Sequence, residues 1–345
     1  MEQRQPNGKK GKSSRTLYIM AAIMLVCAIG VMGVYLDTFY GSGKIRAWIS
    51  SWSQSNTAQQ TSVMDTAPAL PLDHTGGTTV LPLDKYFLVC TKDGVKMYES
   101  VNNLIWNDTF TMTTPTAIQE EDYAAVGDMS GRVVRVYNTN GLVYQVQAEG
   151  SLMQFALNAN GYLSLITKEE KGYRISVYDA KGNILKARVE ESSGVYPLCS
   201  DVSDDNRYFA VSYVDTSDIK LTGRILFFYI NSTDSENYAD SMFAAVEKNN
   251  ELPAKLGFME GNILCVLTDS SLSGYNTSGE ENWNIALTNT VSQISFGNKE
   301  EVVLALGESL SGMEGVEKNT FIAVSSKGTQ KFSNQTEKEI TYLYS

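Results

Sequence analysis

A tyrosine, a short polar turn and a glycine recur along this chain, and that repeat restricts the fold more than any other feature. The clearest copies are VYNTNG (Val136–Gly141), VYDAKG (Val177–Gly182) and GYNTSG (Gly274–Gly279). Looser copies are KMYES at Lys96–Ser100, FFYIN at Phe227–Asn231 and AVSSKG at Ala323–Gly328. In each, an apolar run enters the turn and a second run leaves it, the pattern of two antiparallel strands. Aligned on Tyr98, Tyr137, Tyr178, Tyr229 and Tyr275, the steps are 39, 41, 51 and 46 residues. Self-similarity at that period, in strand-forming sequence, predicts an all-β propeller with four strands per blade. Asp93–Gly94, Asn140–Gly141 and Asn160–Gly161 add hairpin signals, because these pairs reach positive φ at low cost.

Six blades can be placed from Leu81 onward, with a seventh open if the preceding segment contributes. Blade one reads as Tyr86–Thr91, Val95–Glu99 and Leu104–Asn107, without a clear first strand. Blade four lacks a defined outer strand before Asn249, and Tyr238–Lys248 could hold a helical turn or two. The chain's end, EITYLY at Glu339–Tyr344, has strand character. It is expected to supply blade one's missing strand and so remove an open sheet edge. The repeated tyrosines are expected to pack between blades. Cys90, Cys199 and Cys265 each lie in an apolar run and read as small buried hydrophobes.

Several segments resemble known repeats. VSDDNRYFAVSY (Val202–Tyr213) and ALNANGYLSLI (Ala156–Ile166) are similar to the inner hairpins of WD-repeat-like bacterial propellers. YNTSGEENW (Tyr275–Trp283) resembles the repeat of quinoprotein-type propellers, and Trp106 and Tyr144 occupy the slot of Trp283 in blades one and two. The full layout resembles an uncharacterised family of Gram-positive bacterial proteins in which one membrane span carries a propeller outside the cell. That resemblance implies architecture and location. It brings no site residues, because that family has no established activity.

The N-terminal layout agrees with it. Residues 1–16 form a basic tail with Arg4, Lys9, Lys10, Lys12 and Arg15. Leu17–Leu36 then runs twenty residues without a charge, the length a helix needs to cross a bilayer. Tyr35, Phe39 and Tyr40 fall where an interfacial aromatic belt would sit. The expected organisation is a cytoplasmic tail (1–16), a transmembrane helix (17–40), a juxtamembrane segment and tether (41–80) and an extracytoplasmic propeller (81–345). The positive flank keeps the N-terminus in the cytoplasm of a single-pass protein of the cell membrane. Ile45, Trp48, Ile49 and Trp52 share one helical face just past the span, where an interfacial helix could lie.

Charge and residue content narrow the chemistry. The net charge is −11, and the basic tail contributes +4, which leaves −15 on the remainder. Such a domain repels phosphate backbones, so no nucleic acid is expected as a partner. The one histidine, His74, lies in the tether. A Ser–His–Asp triad, a Cys–His pair or an HExxH zinc site needs histidine in the folded domain. No Gly-rich phosphate loop occurs. No residue is assigned to catalysis, to a cofactor or to a metal, and the binding residues are left open.

Asp201, Asp204 and Asp205 form the one candidate carboxylate cluster. Asp204–Asp205–Asn206 also suits a plain hairpin turn, and Glu120, Glu121 and Asp122 suit a loop. The expected function is a non-enzymatic binding or scaffolding module for a protein or cell-envelope partner. The alternatives are an extracellular glycan hydrolase or lyase using channel carboxylates, and a ligand sensor signalling through a membrane partner.

Overall fold

The computed structural model describes residues 77–345 except 237, 297–298, 310–318, 337–339, 341–342 and 344–345. The basic tail, the expected membrane segment and all but the end of the expected tether lie outside the described residues. Among the described residues no helix is long and apolar enough to cross a membrane.

Among the described residues the strands form six four-stranded antiparallel sheets, each built from consecutive segments. Blade one is β1 (Thr79–Leu83), β2 (Tyr86–Thr91), β3 (Gly94–Ser100) and β4 (Asn103–Thr109). Blade two is β5 (Pro115–Glu120), β6 (Tyr123–Asp128), β7 (Val133–Asn138) and β8 (Gly141–Gln147). Blade three is β9 (Ser151–Leu157), β10 (Leu163–Lys168), β11 (Tyr173–Tyr178) and β12 (Ile184–Glu190). Blade four is β13 (Val195–Val202), β14 (Tyr208–Asp215), β15 (Thr222–Tyr229) and β16 (Met242–Asn249). Blade five is β17 (Lys255–Met259), β18 (Ile263–Leu267), β19 (Ser271–Tyr275) and β20 (Glu281–Ala286). Blade six is β21 (Asn289–Ser295), β22 (Glu301–Ser309), β23 (Thr320–Ser325) and β24 (Gln330–Gln335).

The first strands of neighbouring blades touch: β1 with β5, β5 with β9, β9 with β13 and β13 with β17. They form the inner layer, and β4, β8, β12, β16, β20 and β24 are the exposed outer strands. Because strands alternate in direction, the first-to-second hairpins and the third-to-fourth turns share one end of the blades, the hairpin face. The core lies between blades. Leu88 and Met97 of blade one pack with Ala124, Val126 and Tyr137 of blade two. Met259 and Leu272 of blade five pack with Val302 and Leu304 of blade six.

Blade one is complete without help from the C-terminus. Its first strand is TVLPL (Thr79–Leu83), paired with β2 through Leu81↔Leu88 and Pro82↔Phe87. Pro82 hides this strand in the sequence, since proline cannot donate to a ladder. It is tolerated here because β1 is an edge strand of its sheet. The expectation that Glu339–Tyr344 fills this position is therefore corrected. That segment lies largely outside the described residues, and Ile340 and Leu343 carry no strand. Blade four's outer strand is Met242–Asn249, so most of the suspected helical stretch is β. Only a one-turn helix, α1 (Ser232–Ser235), and a 3₁₀ turn at Ala239–Ser241 precede it.

The repeated turn has a mechanical role. Trp106 stacks on Tyr137 at 5.5 Å and donates from Nε1 to the Thr139 carbonyl at 3.0 Å. Trp283 donates from Nε1 to the Ser326 carbonyl at 2.8 Å and lies against Gly328. Tyr144 lies against Gly182, where a Cβ would meet its ring at 2.9 Å. Gly182 and Gly328 hold φ of +81° and +75°, which an L side chain rarely adopts. An outer-strand aromatic of one blade thus docks on the third-to-fourth turn of the next.

Candidate mouth of the central channel

The hairpins between first and second strands bring charged side chains from alternate blades together. Glu120 ends β5 of blade two, Asp201 lies near the end of β13 of blade four, and Lys299 sits in the β21–β22 connection of blade six. The Lys299 ammonium is 3.2 Å from a Glu120 oxygen, and both side chains are nearly buried. Asp201 is only 5% exposed and accepts the Phe258 backbone N–H at 2.8 Å. Lys299 is held at φ +65°, with its N–H donating to Phe296 O at 3.2 Å and its carbonyl accepting from Glu260 N at 2.8 Å. The backbone therefore fixes the ammonium's starting point.

Burial pushes the Glu120 carboxyl up to about 7, and the attraction of Lys299 only partly opposes this. Burial likewise raises Asp201, against the pull of Lys299 and the Phe258 N–H. Burial alone would lower Lys299, but the Asp201 and Glu120 carboxylates outweigh it and raise its pKa. Lys299 is therefore a fixed cation and is unsuited to act as a free-amine nucleophile near neutral pH.

A collar of hydrogen bonds surrounds this cluster. Asn158 Nδ2 donates to Ser203 O at 2.9 Å and to Asn206 Oδ1 at 2.7 Å, joining blades three and four. Asn262 Nδ2 donates to Asp205 Oδ2 at 2.8 Å, joining blades five and four. Ser203 Oγ donates to Asp205 Oδ1 at 2.7 Å within the turn, and Asn206 takes φ +59°. Asp205 thus performs the turn chemistry anticipated for this run and also ties hairpins together, while Asp204 Oδ1 accepts the Ala159 N–H of blade three at 3.3 Å. Asp201 separates from them: it points into the buried cluster. Glu120 leaves its anticipated loop role as well, because it is the last residue of a strand and faces Lys299.

The sequence gives no sign of Lys299, which stands in no repeat. It also hides a buried polar network in which Ser200 Oγ bridges Gln154 Oε1 and Ser164 Oγ, each at 3.0 Å. Cys90, Cys199 and Cys265 are buried and unbridged. Among the described residues, no three His, Cys, Asp or Glu side chains converge as a metal site.

The blades splay apart toward their outer strands. A groove of about 360 Å³ between blades two and three is lined by Gln145, Gln147, Arg174, Ser176 and Tyr178. One of about 300 Å³ between blades three and four is lined by Arg188, Tyr213, Arg224, Leu226 and Met242.

The Glu120 shift has a testable sign. Its folded pKa of about 7 lies above the ordinary 4.5, so the folded state binds the proton more tightly. Its contribution to stability is therefore full below pH 4.5 and is lost as pH rises toward 7. Glu120→Gln should remove that loss. The stability difference between variant and parent should shift by about 3 kcal/mol in the variant's favour between pH 4.5 and 8. Urea unfolding at several pH values would reveal it; a difference independent of pH would refute this account of Glu120.

Six consecutive four-stranded antiparallel sheets, with first strands touching at the centre, define a β-propeller. The chain belongs to the DUF5711 family, a family of unknown function whose profile matches residues 57–344. A search among curated proteins finds no match. Two solved structures share the fold at low sequence identity. One is KlAtg21 in complex with the coiled coil of AgAtg16, at a TM-score of 0.54 and 14% identity, covering 73% of this chain and 82% of that one. The other is the Cps50 (Swd1) β-propeller domain of Myceliophteria thermophila, at 0.51 and 10%, covering 77% and 89%.

Proposed function

We propose that this protein is a membrane-anchored propeller that binds a protein or cell-envelope partner outside the membrane and catalyses no reaction. The observation that carries this reading is the use made of the charged mouth. Glu120, Asp201 and Lys299 are buried and satisfied by one another or by backbone, so they act as a clasp between blades. The exposed turns and grooves around this rigid frame remain available for recognition. One protein of similar fold was solved bound to a coiled coil, which supports a protein partner. The uncharged run Leu17–Leu36 supports the anchor, with the tail inside a Gram-positive cell and the propeller outside. An anchor raises the propeller's local concentration for partners near the membrane.

A second reading, glycan hydrolysis by carboxylates at the mouth, draws on the burial of Glu120, which pushes its carboxyl up to about 7, into the range that suits a general acid. The two readings separate in one experiment. In-cell crosslinking of the full chain followed by affinity capture is expected to recover one stoichiometric envelope partner. Activity of the purified chain on a glycan panel, abolished by Glu120→Gln and with no partner recovered, would overturn the binding reading.

A further inference from the structure

Among the described residues, blade four carries a surface that no other blade repeats. Its third-to-fourth connection, residues 230–241, spans 12 residues where the others have two to five. This insertion gathers four aromatic rings on the hairpin face. Tyr229 lies 4.3 Å from Phe243 and 5.3 Å from Tyr238, centroid to centroid, and Tyr208 lies 5.6 Å from both Tyr229 and Phe243. Tyr238 is 42% exposed and the adjacent Met242 is 38% exposed. Elsewhere on this face, among the described residues, rings meet in pairs, as in Phe87–Tyr98 and Trp106–Tyr137.

The connection is pinned in a costly conformation. Asp240 and Ser241 take φ of +57° and +62°, two successive left-handed residues without a glycine. Blade three holds them there: Arg188 pairs with Asp240, and Lys186 Nζ donates to Ser241 Oγ at 2.8 Å. Such strain persists only where surrounding contacts enforce it.

Carboxylates lie in the segments of chain that carry these rings. Asp234, Glu236 and Asp240 belong to the insertion, and Asp204 and Asp205 lie on the neighbouring hairpin. The patch already holds one guanidinium. Arg207 lies over the Tyr208 ring, 5.2 Å from its centroid, and pairs with Asp234 at 3.1 Å. A ring face with a carboxylate beside it suits a planar cation. Tyr238, with Glu236 and Asp240 beside it in the chain, remains exposed.

We propose that this blade-four patch is a docking surface for a partner protein segment that presents arginine side chains. The proposal rests on the binding-module reading and names the partner chemistry. The domain's acidic charge favours a basic partner, and the aromatic faces select arginine over lysine by stacking.

The test uses the full chain and two defined peptides of about 12 residues, one alternating arginine with glycine and the other lysine with glycine. Calorimetry at roughly 0.15 M salt limits diffuse attraction. The arginine peptide is expected to bind about fivefold or more tighter than the lysine peptide. Tyr238→Ala should weaken arginine-peptide binding by about fivefold, and Tyr238→Phe should preserve it. Glu170→Gln, on the opposite face, should leave affinity unchanged and thereby exclude a general charge effect. Equal binding of both peptides, insensitivity to Tyr238→Ala, or no binding at all would each overturn the proposal. Recovery of a crosslinked partner despite such a failure would leave the binding-module reading standing and remove only this patch.

Discussion

Replacement of Lys299 by methionine is expected to lower the unfolding free energy by about 3–5 kcal/mol at pH 8. The ammonium faces the Glu120 carboxylate at 3.2 Å, and Asp201 is the larger electrostatic contributor to its raised pKa. Methionine fills similar space but leaves two carboxylates in a buried site without a cation. They can relieve that cost only by taking up protons, and both already have raised affinity for them. The defect should therefore shrink toward pH 5, where Glu120 can be neutral in the folded state. Adding Glu120→Gln to Lys299→Met should recover part of the loss at pH 8, because one of the two charges is then absent. Urea unfolding followed by tryptophan fluorescence measures all three variants. A loss that is the same at pH 5 and pH 8, with no recovery in the double variant, would show that Lys299 contributes packing alone.

The second large effect is expected at Trp283. Trp283→Ala should cost about 3 kcal/mol, near the lower end for removal of a large aromatic, since the residue is only half-buried. Three contacts disappear together. The ring leaves Gly274 on its own sheet and Gly328 on the next blade, and the Ser326 carbonyl loses its 2.8 Å donor. Trp283→Phe keeps much of the ring but no N–H, so it should fall between parent and alanine variant. The site joins blades five and six, and the damage should begin there. Hydrogen exchange should quicken first in β19, β20 and β23, before the inner strands of blades two and three respond. Uniform acceleration over all six blades would contradict a local staple and indicate a single cooperative unit.

These two sites differ in how much of them the sequence reveals. Trp283, Trp106 and Tyr144 fall in one slot of a repeat, and the glycine that follows each turn is legible for the same reason. A repeated unit must solve the same docking problem at each blade, so its solution recurs in the text. Tyr137 and Tyr275 follow the same logic, each almost wholly buried between blades. The Tyr137 hydroxyl donates to Asp108 of the preceding blade at 2.7 Å. Lys299 has no such recurrence. Its role arises because hairpins from blades two, four and six meet near the axis, far apart in the chain. β1 was hidden for a different reason: Pro82 breaks the strand pattern locally, and only the edge position in the sheet makes it acceptable. The blade-four insertion was hidden by its polar composition, which reads as loop until the rings at Tyr208, Tyr229 and Phe243 are brought together by strand pairing.

The sequence alone determined the class of fold, the turn that joins the blades' outer strands and the burial of the three domain cysteines, whereas the count of six sheets among the described residues came from the strand pairing. The first three depend on local alternation and on a period that repeats along the chain. The tertiary structure alone decided which charges share the mouth and which rings share a surface. Those pairings depend on the closure of distant segments in space, and Coulomb attraction and burial act on that distance, not on separation in sequence.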